Sequence, residues 1–276
     1  PGWFPNPGTR SRTSSLRRPP LEGPDRQQSP TDAAPAPHVL RAARVSLGML
    51  GITSQVTISC LPRYALHERR WQASVDEALA ELSSNVAANE HYEFFWYPIA
   101  DSTECKALNA VAELPDSEEP PPLEGPGERV GWSHRIYPSV RDQKFNEMEY
   151  SLPAAAGPDC FREVRQVMRS EFPKWGWPVE YRTLAADDAM LSPAHGRATV
   201  TISVHQDASR PYEPYFRAVE AVFRKYEGRP HWGKIHWQTR DDLQASYPEF
   251  GAFCELRRSL DPEGRFLSPY LRTLFE

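Results

Sequence analysis

The run Tyr92-Glu93-Phe94-Phe95-Trp96-Tyr97 restricts the fold more than any other stretch of this chain. Successive side chains of an extended segment point to opposite faces, so rings at nearly every position project both ways. The run therefore predicts a strand buried on both faces, with core packing rather than ligand stacking as the job of its rings.

A buried strand needs strand neighbours and a helical cover, and the sequence offers both. Ile52 to Cys60 alternates with β-branched residues, Phe145 to Leu152 alternates with Met148, Tyr150 and Leu152 on one face, and Trp177 to Thr183 and Thr199 to His205 also read as strands. Leu40, Val45, Leu47 and Leu50 fit a helix that Gly48 and Gly51 then loosen. Ser74-Val75-Asp76-Glu77 is a capping box that opens a helix with Val75, Leu79 and Leu82 on one face. Further helices carry Phe161, Val164 and Met168 behind Asp159, then Phe216, Val219, Val222, Phe223 and Tyr226, then a short piece capped by Thr239 and Asp242. A last helix with Phe253, Leu256 and Leu260 stops at Asp261-Pro262-Glu263-Gly264. Strands followed by helices, twice over, predict an α+β fold: an antiparallel sheet covered by helices on one side.

Prolines bound the ordered region. Residues 1–38 hold Pro19, Pro20, Pro24, Pro30, Pro35 and Pro37 among Ser and Arg with little to bury, so a disordered arm is expected there. The chain opens at Pro1 rather than Met, which suggests that residues precede it. Glu113 to Gly127 is acidic and proline-rich and reads as an exposed loop between strands. The net charge of -5, with arginines scattered among acids, argues against a nucleic-acid partner. Cys60, Cys105, Cys160 and Cys254 lie far apart without metal-ligand spacing, so no metal site or disulfide framework is indicated and reduced, mostly buried thiols are expected. No apolar run approaches the roughly 20 residues of a transmembrane span, and no secretory leader is evident. A cytoplasmic or peripherally membrane-associated protein is expected.

Three stretches carry charge where burial is expected. Arg229-Pro230-His231-Trp232-Gly233-Lys234 gathers cations, an imidazole and an indole, which are costly to bury unless they face a ligand, although a surface turn with an aromatic anchor reads equally well. Glu180 and Arg182 share a strand face, as a rim salt bridge or as a pocket wall. Thr201, Ser203 and His205 form the polar face of an otherwise apolar strand and need partners.

The first two of these stretches, Arg229 to Lys234 and Val179 to Arg182, together with Val45 to Ile52, Glu93 to Pro98, Met148 to Pro153, Ala186-Asp187-Asp188, Leu191-Ser192-Pro193 and Leu260 to Leu271, resemble the C-terminal portion of the D-arabinono-1,4-lactone oxidase family. These are sugar-lactone and alditol oxidases of the vanillyl-alcohol oxidase class of flavoproteins. The resemblance runs from about residue 39 to the end. It implies a cap domain of an FAD-linked oxidase: residues 39–62 as the C-terminal remnant of the FAD-binding domain, and residues 63–276 as the substrate-binding cap and C-terminal tail. The part of that domain with the flavin-linking histidine and the pyrophosphate loop has no counterpart here.

The implied reaction moves hydride from a carbinol of an aldonolactone to FAD, with oxygen as acceptor. The resemblance assigns Lys234 to stabilising a developing anion beside flavin and substrate, Arg182 to orienting the substrate and polarising an oxygen, and Glu180 to hydrogen-bonding hydroxyls. Ser203 and His205 are placed against the substrate, where their difference from alditol-oxidising relatives favours a lactone over an open-chain polyol. Gly48, Gly51 and Ile52 are placed near the cofactor with Lys234 and His231, the latter orienting its own packet. An alditol oxidase, or a carbohydrate-binding remnant without flavin, stands as the alternative.

Overall fold

The computed structural model describes residues 36–56, 58, 60–138 and 142–276. They form two compact units, one of residues 61–185 and 198–236, the other of residues 36–60, 186–197 and 237–276. In chain order the elements are α1 (Pro37–Ala43), β1 (Ala65–Ser74), α2 (Val75–Ala80), α3 (Leu82–Ala88), β2 (His91–Tyr97), β3 (Ser102–Val111), β4 (Gly127–Trp132), α4 (Ser133–Ile136) and β5 (Phe145–Pro153). There follow α5 (Gly157–Glu171), β6 (Val179–Leu184), β7 (Thr199–Asp207), α6 (Glu213–Lys225), β8 (Arg229–Pro230), α7 (Arg240–Ser246), α8 (Phe250–Leu260) and α9 (Pro269–Phe275).

The first unit is the expected α+β arrangement. Its eight strands make one sheet in the order β4-β1-β3-β2-β6-β7-β5-β8, and every pairing is antiparallel. One face is apolar and lies under α5 and α6. Phe161 of α5 meets the rings of Phe94, Trp96 and Tyr181 at 5.2, 5.8 and 5.9 Å, and Tyr150 of β5 stacks on Phe223 of α6 at 5.1 Å. Gly157 opens α5 where a methyl group would run into Tyr181 and Val200, so this helix can approach the sheet only through a glycine. Ser74 caps α2 in the expected box, accepting from the Glu77 amide at 3.2 Å.

The aromatic run is packed in the apolar core on one face only. Tyr92, Phe94 and Trp96 lie in the core, while on the other face Glu93 is buried, Phe95 is half-buried and Tyr97 is exposed. The register explains it: Glu93 sits opposite Lys106 and Arg182, and Phe95 opposite Glu104 and Glu180, so this second face is ionic. It continues into β1, β3 and β4, which were not evident from the sequence. There the fully buried Glu68 accepts from Arg70 at 2.7 Å and from Arg129 at 2.6 Å.

In the second unit three expectations fail. The helix from Leu40 to Leu50 ends at Ala43, because Leu47 and Gly48 take left-handed φ values of 53° and 78° and break the turn. Pro37 and His38, expected in the disordered arm, begin α1, with Pro37 at the first turn where its missing N–H costs nothing. The rest of that arm lies outside the described residues, as do positions 57 and 59. The expected strand from Ile52 to Cys60 is absent among its described residues, and Ile52, Val56 and Ile58 are exposed. β-branched alternation makes a segment able to pair, but pairing needs an adjacent strand.

Elsewhere the unit is well tied. Arg41 donates to the Asp188 carbonyl at 2.8 Å and pairs with Glu249. Asp261 stops α8 and accepts from the amides of Arg265 and Phe266, both at 2.9 Å. The α9 helix that follows brings Phe275 onto Phe250 at 5.0 Å. Cys105, Cys160 and Cys254 are buried thiols as expected, whereas Cys60 is exposed. Among the described residues no helix is long and apolar enough to cross a membrane.

Candidate active site

Register builds the site. In the neighbouring strands β6, β7 and β5, Glu180 lies opposite Ser203, Ser203 opposite Glu149, Arg182 opposite Thr201, and Glu147 opposite His205. Side chains that face one another across antiparallel strands share a face, so these seven groups line the ionic side of the sheet. Lys234 reaches the same face from the edge. β8 pairs with β5, and the packet after it stays along that strand, with the His231 amide donating to the Glu149 carbonyl at 2.9 Å and the Ile235 amide to the Glu147 carbonyl at 3.0 Å. A turn from the His231 carbonyl to the Lys234 amide, 3.1 Å, then aims the lysine inward.

Lys234 Nζ donates to Glu147 Oε1 at 2.6 Å and to Glu149 Oε2 at 2.7 Å. Arg182 Nη2 donates to Glu149 Oε2 at 2.7 Å, Ser203 Oγ donates to the same oxygen at 2.5 Å, and Arg182 Nε lies 3.5 Å from Glu180 Oε1. The structure thus brings Glu180, Arg182, Ser203, His205 and Lys234 together. It adds Glu147 and Glu149, which the sequence reading passed over. The signal was present: Glu147, Glu149 and Ser151 alternate with Met148, Tyr150 and Leu152, so two carboxylates two residues apart share one strand face.

Burial and pairing pull the three carboxyls in different directions. Burial by itself raises each, because it penalises the charged form. At Glu147 the His205 contact and the Lys234 ammonium outweigh it, and at Glu149 the Arg182 and Lys234 charges do, so both are held down at about 2. At Glu180 burial wins against Arg182, helped by the charge of Glu93, and its carboxyl is pushed above the ordinary value of 4.5. The face therefore holds two fixed carboxylates and one that titrates upward.

His205 Nδ1 donates to the Pro178 carbonyl at 2.8 Å, since a carbonyl only accepts, and Nε2 lies 3.3 Å from Glu147 Oε1. One ligand atom each from Glu147, Glu180 and His205 lies within 4.8 Å of the others, close enough to hold a metal ion. Lys234 already supplies a cation to Glu147 there. His231 is half-buried, its Nδ1 accepts from the Gly233 amide at 3.1 Å, and burial pushes its imidazole below the ordinary value. Gly48, Gly51 and Ile52 belong to the second unit, where Gly48 and Gly51 take φ values of 78° and 122° and no atom lies within 4 Å of a methyl group built on Gly48.

Two polar atoms on this face are buried without a hydrogen-bond partner, Arg182 Nε and Thr201 Oγ1. An ammonium has three N–H groups, and the carboxylates take two of those on Lys234. Donors held in place by buried carboxylates and still unsatisfied are what a hydroxyl-rich neutral molecule needs.

Residues 56–126 and 123–274 match the sequence model of D-arabinono-1,4-lactone oxidase. The chain is 36% identical over 271 residues to L-gulono-1,4-lactone dehydrogenase of Mycobacterium tuberculosis, an alignment covering 84% of this chain and 62% of that protein. It is 28% identical over 286 residues to L-gulonolactone oxidase of Mus musculus, covering 86% and 63%. In fold it is similar to a solvent-stable cholesterol oxidase, with a TM-score of 0.71, 14% identity, and coverage of 87% of this chain and 65% of that one. The chain thus spans 62–63% of the length of these two lactone-acting relatives.

Proposed function

The chain belongs to the D-arabinono-1,4-lactone oxidase family, and from that premise we propose that it is the substrate-binding part of an FAD-dependent oxidoreductase acting on a carbinol of a sugar-derived aldonolactone. The observation that carries this reading is the convergence of Glu180, Arg182 and Lys234 on one face where Arg182 Nε, 3.5 Å from Glu180, is buried without a hydrogen bond. Residues 39–62 are read as the end of a flavin-binding domain and residues 63–276 as the cap and tail.

The donor set suits the cofactor as well as the substrate. FAD, when bound, supplies the hydride acceptor. Lys234 and Arg182 would offer it fixed positive charge. Lys234 and His231 are the residues of the first unit that would hold it.

This chain's own part in the reaction is to bind, orient and move a proton. Arg182 Nε and Thr201 Oγ1 take ring or hydroxyl oxygens of the lactone, and the third N–H of Lys234 holds the oxygen of the carbinol as negative charge builds on it. Glu180, whose carboxyl burial has raised, hydrogen-bonds that hydroxyl and takes its proton on a carboxylate oxygen. His205 shapes the wall beside Glu147.

The test uses the full-length protein with its flavin-binding part. Anaerobic mixing with D-arabinono-1,4-lactone, L-gulono-1,4-lactone or an open-chain polyol is expected to bleach the flavin band fastest with a lactone, and readmitted oxygen to yield hydrogen peroxide. Faster bleaching by the polyol transfers the assignment to alditol oxidation. No bleaching by any of them overturns the proposal in favour of a binding module.

A further inference from the structure

Glu149 touches more of the site than any group assigned a role above. Its Oε2 accepts from Lys234, Arg182 and Ser203 at 2.7, 2.7 and 2.5 Å, and the residue is 4% exposed. The three donors come from three separate segments, the packet after β8, strand β6 and strand β7, and Glu149 stands on β5 among them. Among the described residues it is the one carboxylate whose contacts reach both cations: Glu147 meets Lys234, and Glu180 meets Arg182.

We infer that Glu149 is the positioning residue of this site: one buried carboxylate oxygen fixes Lys234, Arg182 and Ser203 relative to each other and so aims the ammonium at the substrate oxygen. The inference rests on the proposed function for its catalytic consequence. It does not need that function for its structural one. Lysine and arginine side chains have many rotamers, and a shared acceptor removes that freedom in both at once. Oε2 already holds three donors and has no room for a substrate hydroxyl, so through this oxygen Glu149 acts on its partners. The same geometry reassigns Ser203. Its single O–H is spent on Glu149, which makes it a brace for the acceptor, in place of the direct substrate contact that the sequence resemblance implies.

Full-length holoenzyme carrying Glu149→Gln tests this, with Ser203→Ala as a milder change that removes one brace and keeps the charge. Glu149→Gln is expected to lower kcat about 100-fold, the scale of a misplacement near 1 Å, with KM moving much less. Ser203→Ala is expected to lower kcat about fivefold. In a Lys234→Met background the Glu149→Gln effect should shrink to about threefold, since the ammonium that it aims is gone and only Arg182 and Ser203 remain to be held, whereas a purely structural role would add in full.

A second readout needs no turnover. In protein with lysine labelled at 15Nζ, an ammonium clamped between buried Glu149 and half-buried Glu147 exchanges slowly with water. The resonance that disappears in Lys234→Met should also disappear in Glu149→Gln. An unchanged resonance, or additive kinetics in the double variant, overturns the inference, and if Glu149→Gln does not fold, a wild-type kcat in Ser203→Ala overturns it alone. Wild-type protein that oxidises neither lactone nor polyol defeats the proposed function, and the resonance still decides the role of Glu149.

Discussion

Replacing Lys234 with methionine removes the ammonium that Glu147 and Glu149 share and keeps a side chain of similar reach. Both carboxyls lie at about 2 against an ordinary 4.5. At about 1.4 kcal/mol for each tenfold change in proton affinity, that difference makes each carboxylate worth about 3 kcal/mol to the folded state at neutral pH. Arg182 and His205 retain part of it in the variant, and the two carboxylates share one lysine, so the expected loss is about 3 kcal/mol in total. A protein of this size then melts roughly 6–12 °C lower.

The pH dependence has a fixed sign. A carboxyl held below its ordinary value stabilises the fold fully above 4.5 and loses that contribution as the pH falls toward 2. The deficit of Lys234→Met relative to wild type, measured by urea unfolding of the full-length protein, should therefore narrow by about 1 kcal/mol between pH 7 and pH 4. An equal deficit at both pH values would refute the electrostatic reasoning and leave only packing, and no deficit at pH 7 would refute the clamp itself.

Glu180→Gln should behave in the opposite way, because a carboxyl raised by burial favours the fold below 4.5 and costs stability as the pH rises through its folded value: the variant is expected to melt above wild type at pH 7 and level with it at pH 4. In stopped-flow flavin reduction the same variant should lose the acid limb of the rate profile along with most of its rate. Gly157→Ala would put a methyl group 2.5 Å from Val200 Cγ2 and nearer still to Tyr181 Oη, and is expected to lower the stability by about 2 kcal/mol in a urea titration. Thr239→Ala removes the acceptor of the Asp242 amide at the start of α7 and should cost about 1 kcal/mol by the same titration.

What was legible in the sequence is the apolar half of the sheet. Met148, Tyr150 and Leu152 announce β5, Phe161, Val164 and Met168 announce α5, and the caps at Ser74 and Thr239 mark true helix starts. The ionic half was not legible, for a physical reason. A charged residue on a strand ordinarily faces water, so the charges of Glu68 and Arg70 in β1, or of Glu147 and Glu149 in β5, say nothing of burial until the register shows which polar and charged groups of the neighbouring strands share their face. Pairing is information held between strands, and Ile52 to Cys60 shows the converse, a strand-like pattern with no strand among its described residues.

The ionic face also ties stability to chemistry. Buried charges persist only where each has a counter-charge or hydrogen bonds, and Glu147, Glu149, Arg182 and Lys234 satisfy one another with the side chains proposed to meet the substrate. Compensation among them leaves little slack: Glu149 Oε2 is saturated, while Arg182 Nε and Thr201 Oγ1 have no hydrogen-bond partner. The unsatisfied donors are thus the ones that a substrate can repay, and the saturated acceptor is the one that keeps them in place. Substitutions on this face should accordingly separate into two kinds, those at Glu147, Glu149 and Lys234 that lower stability and rate together, and those at Thr201 that lower affinity for the lactone while leaving the melting temperature where it is.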